Sequence, residues 1–440
     1  MRTLKVLLVL LLGLLPGILA AGLALLSYRS PAPVQHRPLQ SGRANSLAVN
    51  EEYKGVPYAF KLGFVEFDDD GYLLDPAQEK ALLGDIKMDV EEGPGFNLIV
   101  LFVHGWNHDA GMNDKNVGCF QEFLRAAAVM QGRYQQRSGR PHRVYGIYAG
   151  WPGVVYRNSA WQQATTFWGR EAAVDRLAER GELLQLISRI STIRNKAGRR
   201  RVMFMVIGHS LGGRSLYRSL RPLMQNALAS EDYSVHIPPI ADLAVMVNPA
   251  LTADDHKTLA DMVASRTNAS VAVPRFVIAT SRSDSVLRRQ FRWSRLIGTI
   301  VRGDYTLKAD DRTTAIGVYE PSVTHKLSLE EIVPGGYENA EGNERCASMR
   351  FDELGIVNRP GTIVDREELY RFDEIIHRNA QGKVLYKTAL TSAEPSAGPL
   401  MVVAVDGKII PDHNDIFTAP FVDFVARMLN YEFFRAAQPP

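Results

Sequence analysis

Residues Arg201 to Gly213 read RVMFMVIGHSLGG. An apolar run, Val202 to Ile207, leads directly into Gly208-His209-Ser210-Leu211-Gly212, and a helical pattern starts at once. Consecutive Val, Met, Phe and Ile suit a strand covered on both faces. The G-x-S-x-G between strand and helix predicts a tight turn that holds its serine in a strained backbone. Gly208 and Gly212 must be nearly free of side chain so that strand and helix can approach closely. The hydroxyl of Ser210 then projects above the sheet, where the helix directs its positive end at a reacting oxygen. Framing by VMFMVI and by a further glycine, Gly213, sets this match apart from a bare G-x-S-x-G.

The chain on either side keeps the same rhythm. Strands are expected at Phe60 to Phe67, Asn97 to Val103, Arg143 to Tyr148, Leu243 to Val247, Arg275 to Ala279 and Leu400 to Val405. Helical patterns cover Pro76 to Ile86, Gln121 to Arg133, Arg170 to Ser191, Arg214 to Ala229 and Pro420 to Phe434. Strands alternating with helices predict an α/β fold, a mostly parallel sheet with helices on both faces. Residues 311–398 break the rhythm; they are polar, with turns at Pro334-Gly335-Gly336 and Pro360-Gly361. They read as an insertion before the last core strand, either structural or placed to cover a site or bind a partner.

A second element ends the strand Leu98 to Val103, as His104-Gly105-Trp106. A strand-ending His-Gly of this kind opens a loop that supplies one oxyanion-hole amide. The expected donors are the backbone N–H groups of Trp106 (or Asn107) and of Leu211. Taken in order, LFVHGW, VIGHSLGG and VNPA resemble the core of the α/β-hydrolase superfamily from about residue 97 to 440. The loop HGWNHDA resembles that of a bacterial lipase/esterase-like serine hydrolase branch. The resemblance implies a serine hydrolase and the chain order serine, acid, histidine. Asp284, in TSRSD after the strand Arg275 to Ala279, matches the family's acid position; Asp254 and Asp255, after VNPA, are the alternatives. The base belongs in the loop after the last strand, which makes His413 in KIIPDHNDIF the candidate and leaves His325 as its rival.

His104, His108 and Asp109 invite a metal reading, but they follow a strand and lack an evident third ligand, so no metal or organic cofactor is expected. Trp106, Trp151, Trp161 and Trp168 suit either an apolar acyl pocket or ordinary core. Cys119 and Cys346 could form one bridge in an oxidising compartment, but they lie far apart in sequence and are read as two small buried hydrophobes.

The chain has 440 residues, 46% hydrophobic and 22% charged, enough for one large folded domain. Of its 51 Lys and Arg, Arg2, Lys5 and Arg29 lie in the first 30 residues, which carry no acid. The rest balances at 48 basic against 48 acidic groups, so a nucleic-acid partner is not expected. Val6 to Leu26 is an uncharged run of 21 residues, about 32 Å as a helix and long enough to span a bilayer. Residues 1–30 thus read as a membrane anchor, or as a signal segment cleaved after Gly22-Leu23-Ala24, and 31–55 as a proline-bearing linker. The hydrolase domain then runs over 56–440. The function expected is cleavage of a small-molecule or lipid-like carboxylic ester by a membrane-anchored enzyme whose body lies outside the cytoplasm, or is released there. An acyltransferase, thioesterase or amidase with the same triad, or a binding protein without turnover, are the competing readings.

Overall fold

The computed structural model describes residues 47–437 apart from 54, 94, 112, 156–165, 199–200, 230–239, 266–275, 302–309, 332–372, 379–383 and 393–399. The expected anchor and most of the expected linker lie outside these residues. Among the described residues, no helix is long and apolar enough to cross a membrane.

In chain order the elements are β1 (Leu47–Tyr53), β2 (Val56–Glu66), α1 (Pro76–Glu92), β3 (Phe96–Val103), α2 (Lys115–Ser138), β4 (His142–Gly150), α3 (Phe167–Arg180) and α4 (Glu182–Ala197). There follow β5 (Val202–His209), α5 (Ser210–Ala229), β6 (Leu243–Val247), α6 (Ala253–Ala264), β7 (Phe276–Ser281), a π-helical turn (Val286–Phe291) and α7 (Arg292–Val301). The last elements are β8 (His325–Glu331), β9 (Glu374–Arg378), β10 (Val384–Ser392), β11 (Leu400–Val405) and α8 (Ala419–Ala437).

The strands form one sheet in the order β1-β2-β4-β3-β5-β6-β7-β11-β8-β10-β9. From β2 to β8 every neighbouring pair is parallel, and only the outer pairs β1–β2, β8–β10 and β10–β9 are antiparallel. Alternation along the central strands divides the core in two. Leu98, Val100 and Phe102 of β3 and Met203, Met205 and Ile207 of β5 face α2 and α8. Ile99, Leu101 and Val103, with Val202, Phe204 and Val206, face α1, α3, α4 and α5. Each such side chain contributes about 1.5–3 kcal/mol by leaving water, which is why the parallel strands read as unbroken apolar runs.

Helix boundaries follow local chemistry. Asp75 caps α1 by accepting from the amides of Ala77 and Gln78, with Pro76 in the first turn where its missing N–H is harmless. The single helix expected over Arg170 to Ser191 is two, because Gly181 sits in the left-handed region (φ 80°) and turns the chain between α3 and α4. The 311–398 segment extends the sheet: β8 pairs in parallel with β11, and β10 and β9 add antiparallel strands outside it. Cys119, on α2, is buried, as its reading has it, and is disulfide-bonded, which favours the bridge over two unpaired cysteines. The chain's other cysteine, Cys346, lies outside the described residues.

Candidate active site

Ser210 stands where β5 gives way to α5, at the C-terminal end of the parallel strands. Its φ of 53° is unusual for a residue with a side chain and costs on the order of 1–3 kcal/mol. The glycines around it are explained by close approach. A Cβ on Gly212 would collide with the carbonyls of Val103 and His104, and one on Gly208 would lie 2.8 Å from the Cα of Gly213. Gly105 is held as tightly, since a Cβ there would come within 2.9 Å of the Cβ of Ser210 and the ring of His209. The loop after β3 therefore lies directly against the serine.

The structure brings Ser210, His413 and Asp284 into one hydrogen-bonded chain. His413 Nε2 is 2.8 Å from Ser210 Oγ, and its Nδ1 is 2.5 Å from Asp284 Oδ2. Asp284 is fully buried, and its other oxygen accepts from the amide of Leu287 at 2.8 Å. A buried carboxylate held by a backbone donor on one side is free to hold an imidazole on the other. Asp254 and Asp255 lie elsewhere. Asp255 forms a capping box with Thr252 at the start of α6, and Asp254 is exposed near Arg312. His325 begins β8 with its Nδ1 against the Thr324 hydroxyl rather than near the serine.

Two side chains fix His413 from behind. Its backbone carbonyl accepts from His209 Nε2 and from Asn248 Nδ2, both at 2.9 Å. Burial, reinforced by neighbouring His413, pushes His209 well below the ordinary histidine range, so its ring is neutral. The bond to a carbonyl places its proton on Nε2 and leaves Nδ1 buried without a hydrogen-bond partner among the described residues. Asn248 has left-handed backbone (φ 45°) and is fully buried. Its amide donates to the Ala279 carbonyl and its Oδ1 accepts from the amide of Ser281, so one side chain ties the end of β7 to the base loop. Neither residue stands out in the sequence as a site residue. The faint signal is Asn248 in VNPA, a polar residue closing an apolar strand.

Of the amides expected to face an oxyanion, one is already engaged. Asn107 N–H donates to the Gly153 carbonyl at 3.1 Å and is not available, which corrects the expectation that it shares that role. Trp106 N–H and Leu211 N–H stay as the candidates, the latter in the first turn of α5, where helix amides have no carbonyl of their own to bind. His104 is a structural residue. Its ring stacks between Tyr148 and Trp151, its Nε2 accepts from the Trp151 amide at 3.0 Å, and the Trp151 indole donates to its carbonyl at 2.8 Å. Burial holds it at about 4, hence neutral. His108 binds Asp114, which also caps α2 and accepts from the Asp109 amide. Both histidines thus serve protein partners in the places where a metal reading began. Trp151 is core, Trp106 donates to the Thr166 hydroxyl, and Trp161 lies outside the described residues.

No protein-family model and no curated protein sequence matches the chain. Among solved structures, phospholipase PlaB from Legionella pneumophila, in complex with thio-NAD, aligns over 68% of this chain and 50% of its own at 13% identity, with a TM-score of 0.26. A second structure of that phospholipase aligns over 54% of this chain and 48% of its own at 15% identity, with a TM-score of 0.25. A cutinase-like protein from Cryptococcus sp. aligns over 51% of this chain and 98% of its own at 11% identity, with a TM-score of 0.17. This chain spans about half the length of the phospholipase it resembles.

Proposed function

We propose that this protein is a serine hydrolase of the α/β-hydrolase type that cleaves carboxylic esters through an acyl-enzyme. The observation that carries the reading is the chain Ser210 Oγ–His413 Nε2 at 2.8 Å and His413 Nδ1–Asp284 Oδ2 at 2.5 Å, built on a serine with φ 53°. In the first half-reaction Ser210 Oγ attacks the ester carbonyl while His413 Nε2 takes its proton. Asp284 holds the Nδ1–H tautomer and stabilises the imidazolium. Negative charge on the carbonyl oxygen falls to the Trp106 and Leu211 amides, each worth about 3 kcal/mol in the transition state. The tetrahedral intermediate collapses, His413 protonates the leaving alkoxide, and the acyl group stays on Ser210. Water, deprotonated by His413, then attacks the acyl-enzyme and restores the serine.

The enzyme is further proposed to be tethered through Val6 to Leu26, with its body outside the cytoplasm. A disulfide at Cys119 supports that side, since disulfides persist in oxidising compartments. The test of the chemistry is covalent labelling by a fluorophosphonate. The wild type should label and Ser210→Ala should not, with the thermal midpoint of the variant close to that of the parent. Labelling that persists in Ser210→Ala would sink the assignment.

A further inference from the structure

The segment that follows Asp284 is unlike the rest of the surface. From Ser285 to Val301 the sequence SVLRRQFRWSRLIGTIV carries four arginines and no acid, in a chain whose body is otherwise balanced. It forms the π-helical turn and α7. Leu287 and Phe291 are buried and fix its inner side. Trp293 is 66% exposed, the most exposed large hydrophobic side chain among the described residues. Leu296 is half-buried one turn after Trp293, and Ile297 and Ile300 continue the apolar spacing in the sequence. Arg288, Arg289 and Arg292 are exposed beside it. Arg292 meets Asp310 at 2.9 Å in a pair exposed on both sides, which is worth little and exchanges readily. Arg288 gives one N–H to the Arg282 carbonyl.

We infer that this segment is a membrane-contact element that seats on an anionic lipid surface, with Trp293 at the level of the headgroups and the arginines on lipid phosphates. Tryptophan favours the boundary between water and hydrocarbon because its ring is apolar and its N–H is polar. Guanidinium groups on the flanks of an apolar stripe are the charge pattern of helices that lie in the interface. A nucleic acid would meet the same arginines, but it offers nothing to an apolar stripe. The placement also has a use, since the turn is bonded to the proposed catalytic acid through Leu287 N–H to Asp284 Oδ1 and Arg288 N–H to the Asp284 carbonyl.

The test uses the full chain with vesicles of equal parts phosphatidylglycerol and phosphatidylcholine, with ordinary or brominated acyl chains. Brominated lipid should quench part of the emission of the wild type, and Trp293→Phe should remove that part. Vesicles of phosphatidylcholine alone, or the variant Arg288→Gln/Arg289→Gln/Arg292→Gln with anionic vesicles, should lose more than half of the quench. Ser210→Ala should quench like the wild type, which separates this contact from the catalytic reading. Equal quenching of wild type and Trp293→Phe would overturn the inference. So would quenching that ignores both the anionic lipid and the three arginines, or a lipid-free dimer that Trp293→Phe dissolves, since a second copy would then cover this face.

Discussion

Two loops meet over Ser210, and they are built in opposite ways. The loop from Gly105 to Asp114 is assembled mostly from its own residues. His108 and the Asp109 amide both bind Asp114, the Gly111 amide binds the Asp109 side chain, and His104 sits at its root. The loop from Asp406 to Thr418, which carries His413, has turns of its own at Asp406 and Asp412, but the carbonyls of Ile410 and His413 are held from other strands. His209 of β5 and Asn248 after β6 clamp the His413 carbonyl, while the Ser281 hydroxyl at the end of β7 binds the Ile410 carbonyl at 2.5 Å. A loop that organises itself is robust to changes elsewhere. A loop held from afar makes its catalytic group depend on the sheet as a whole.

The largest effect should come from the long-range side. Replacing His413 or Asp284 by alanine should lower ester turnover by about four orders of magnitude, by analogy with triad dissections. Steady-state kinetics on a soluble ester checks this, and an active Asp284→Ala with an inactive Asp255→Ala would reassign the acid.

Asn248→Ala and Asp114→Ala set the two loops against each other. Each removes several buried or half-buried hydrogen bonds and should cost about 2–3 kcal/mol of stability by chemical denaturation. Only Asn248→Ala should also shift the pH dependence of kcat, because it frees the backbone that positions the base. Asp114→Ala should lower kcat with the pH profile in place. Equal profiles in the two variants would erase the distinction drawn here, and Asn248→Gln should not rescue if the short reach of asparagine matters.

A smaller effect concerns acid. Burial holds both His104 and His256 at about 4, whereas the unfolded chain binds those protons near 6.5. Stability should therefore be full above pH 6.5 and fall as the pH drops toward 4, by up to about 3 kcal/mol for each histidine. Denaturation series across that window should show His256→Phe with a clearly flatter slope than the parent. The smallest effect is expected at Asn107, whose φ of 68° glycine adopts freely. Asn107→Gly should change stability and kcat by less than about 1 kcal/mol equivalent, since its amide, not its side chain, makes the bond to Gly153.

These contrasts also explain what was legible beforehand. The parallel sheet could be read because Val202 to Ile207 and its counterparts must be apolar on both faces. Ser210 could be read because the strand, the glycines and the helix are contiguous. His413 and Asp284 needed the chain order implied by a family resemblance, since nothing local distinguishes Asp284 from a capping residue such as Asp255. The clamp by His209 and Asn248 was invisible, as it joins positions that only the folded sheet brings together. The role divided between Trp106 and Asn107 turned on one backbone bond to Gly153, and the break at Gly181 on one left-handed residue. Neither is encoded in hydrophobic pattern.

The place of β11 has a consequence for how the protein is made. It is the last strand of the chain, yet it pairs with β7 on one side and β8 on the other. During synthesis the slot between those strands stays open until residues 400–405 leave the ribosome. His413, the proposed base, follows only a few residues later. The nascent chain thus carries Ser210, the proposed nucleophile, through about 200 residues of further synthesis before His413 follows. On the proposed mechanism hydrolytic power would arrive only with closure of the sheet, and a truncated or stalled product would be both unfinished and inert.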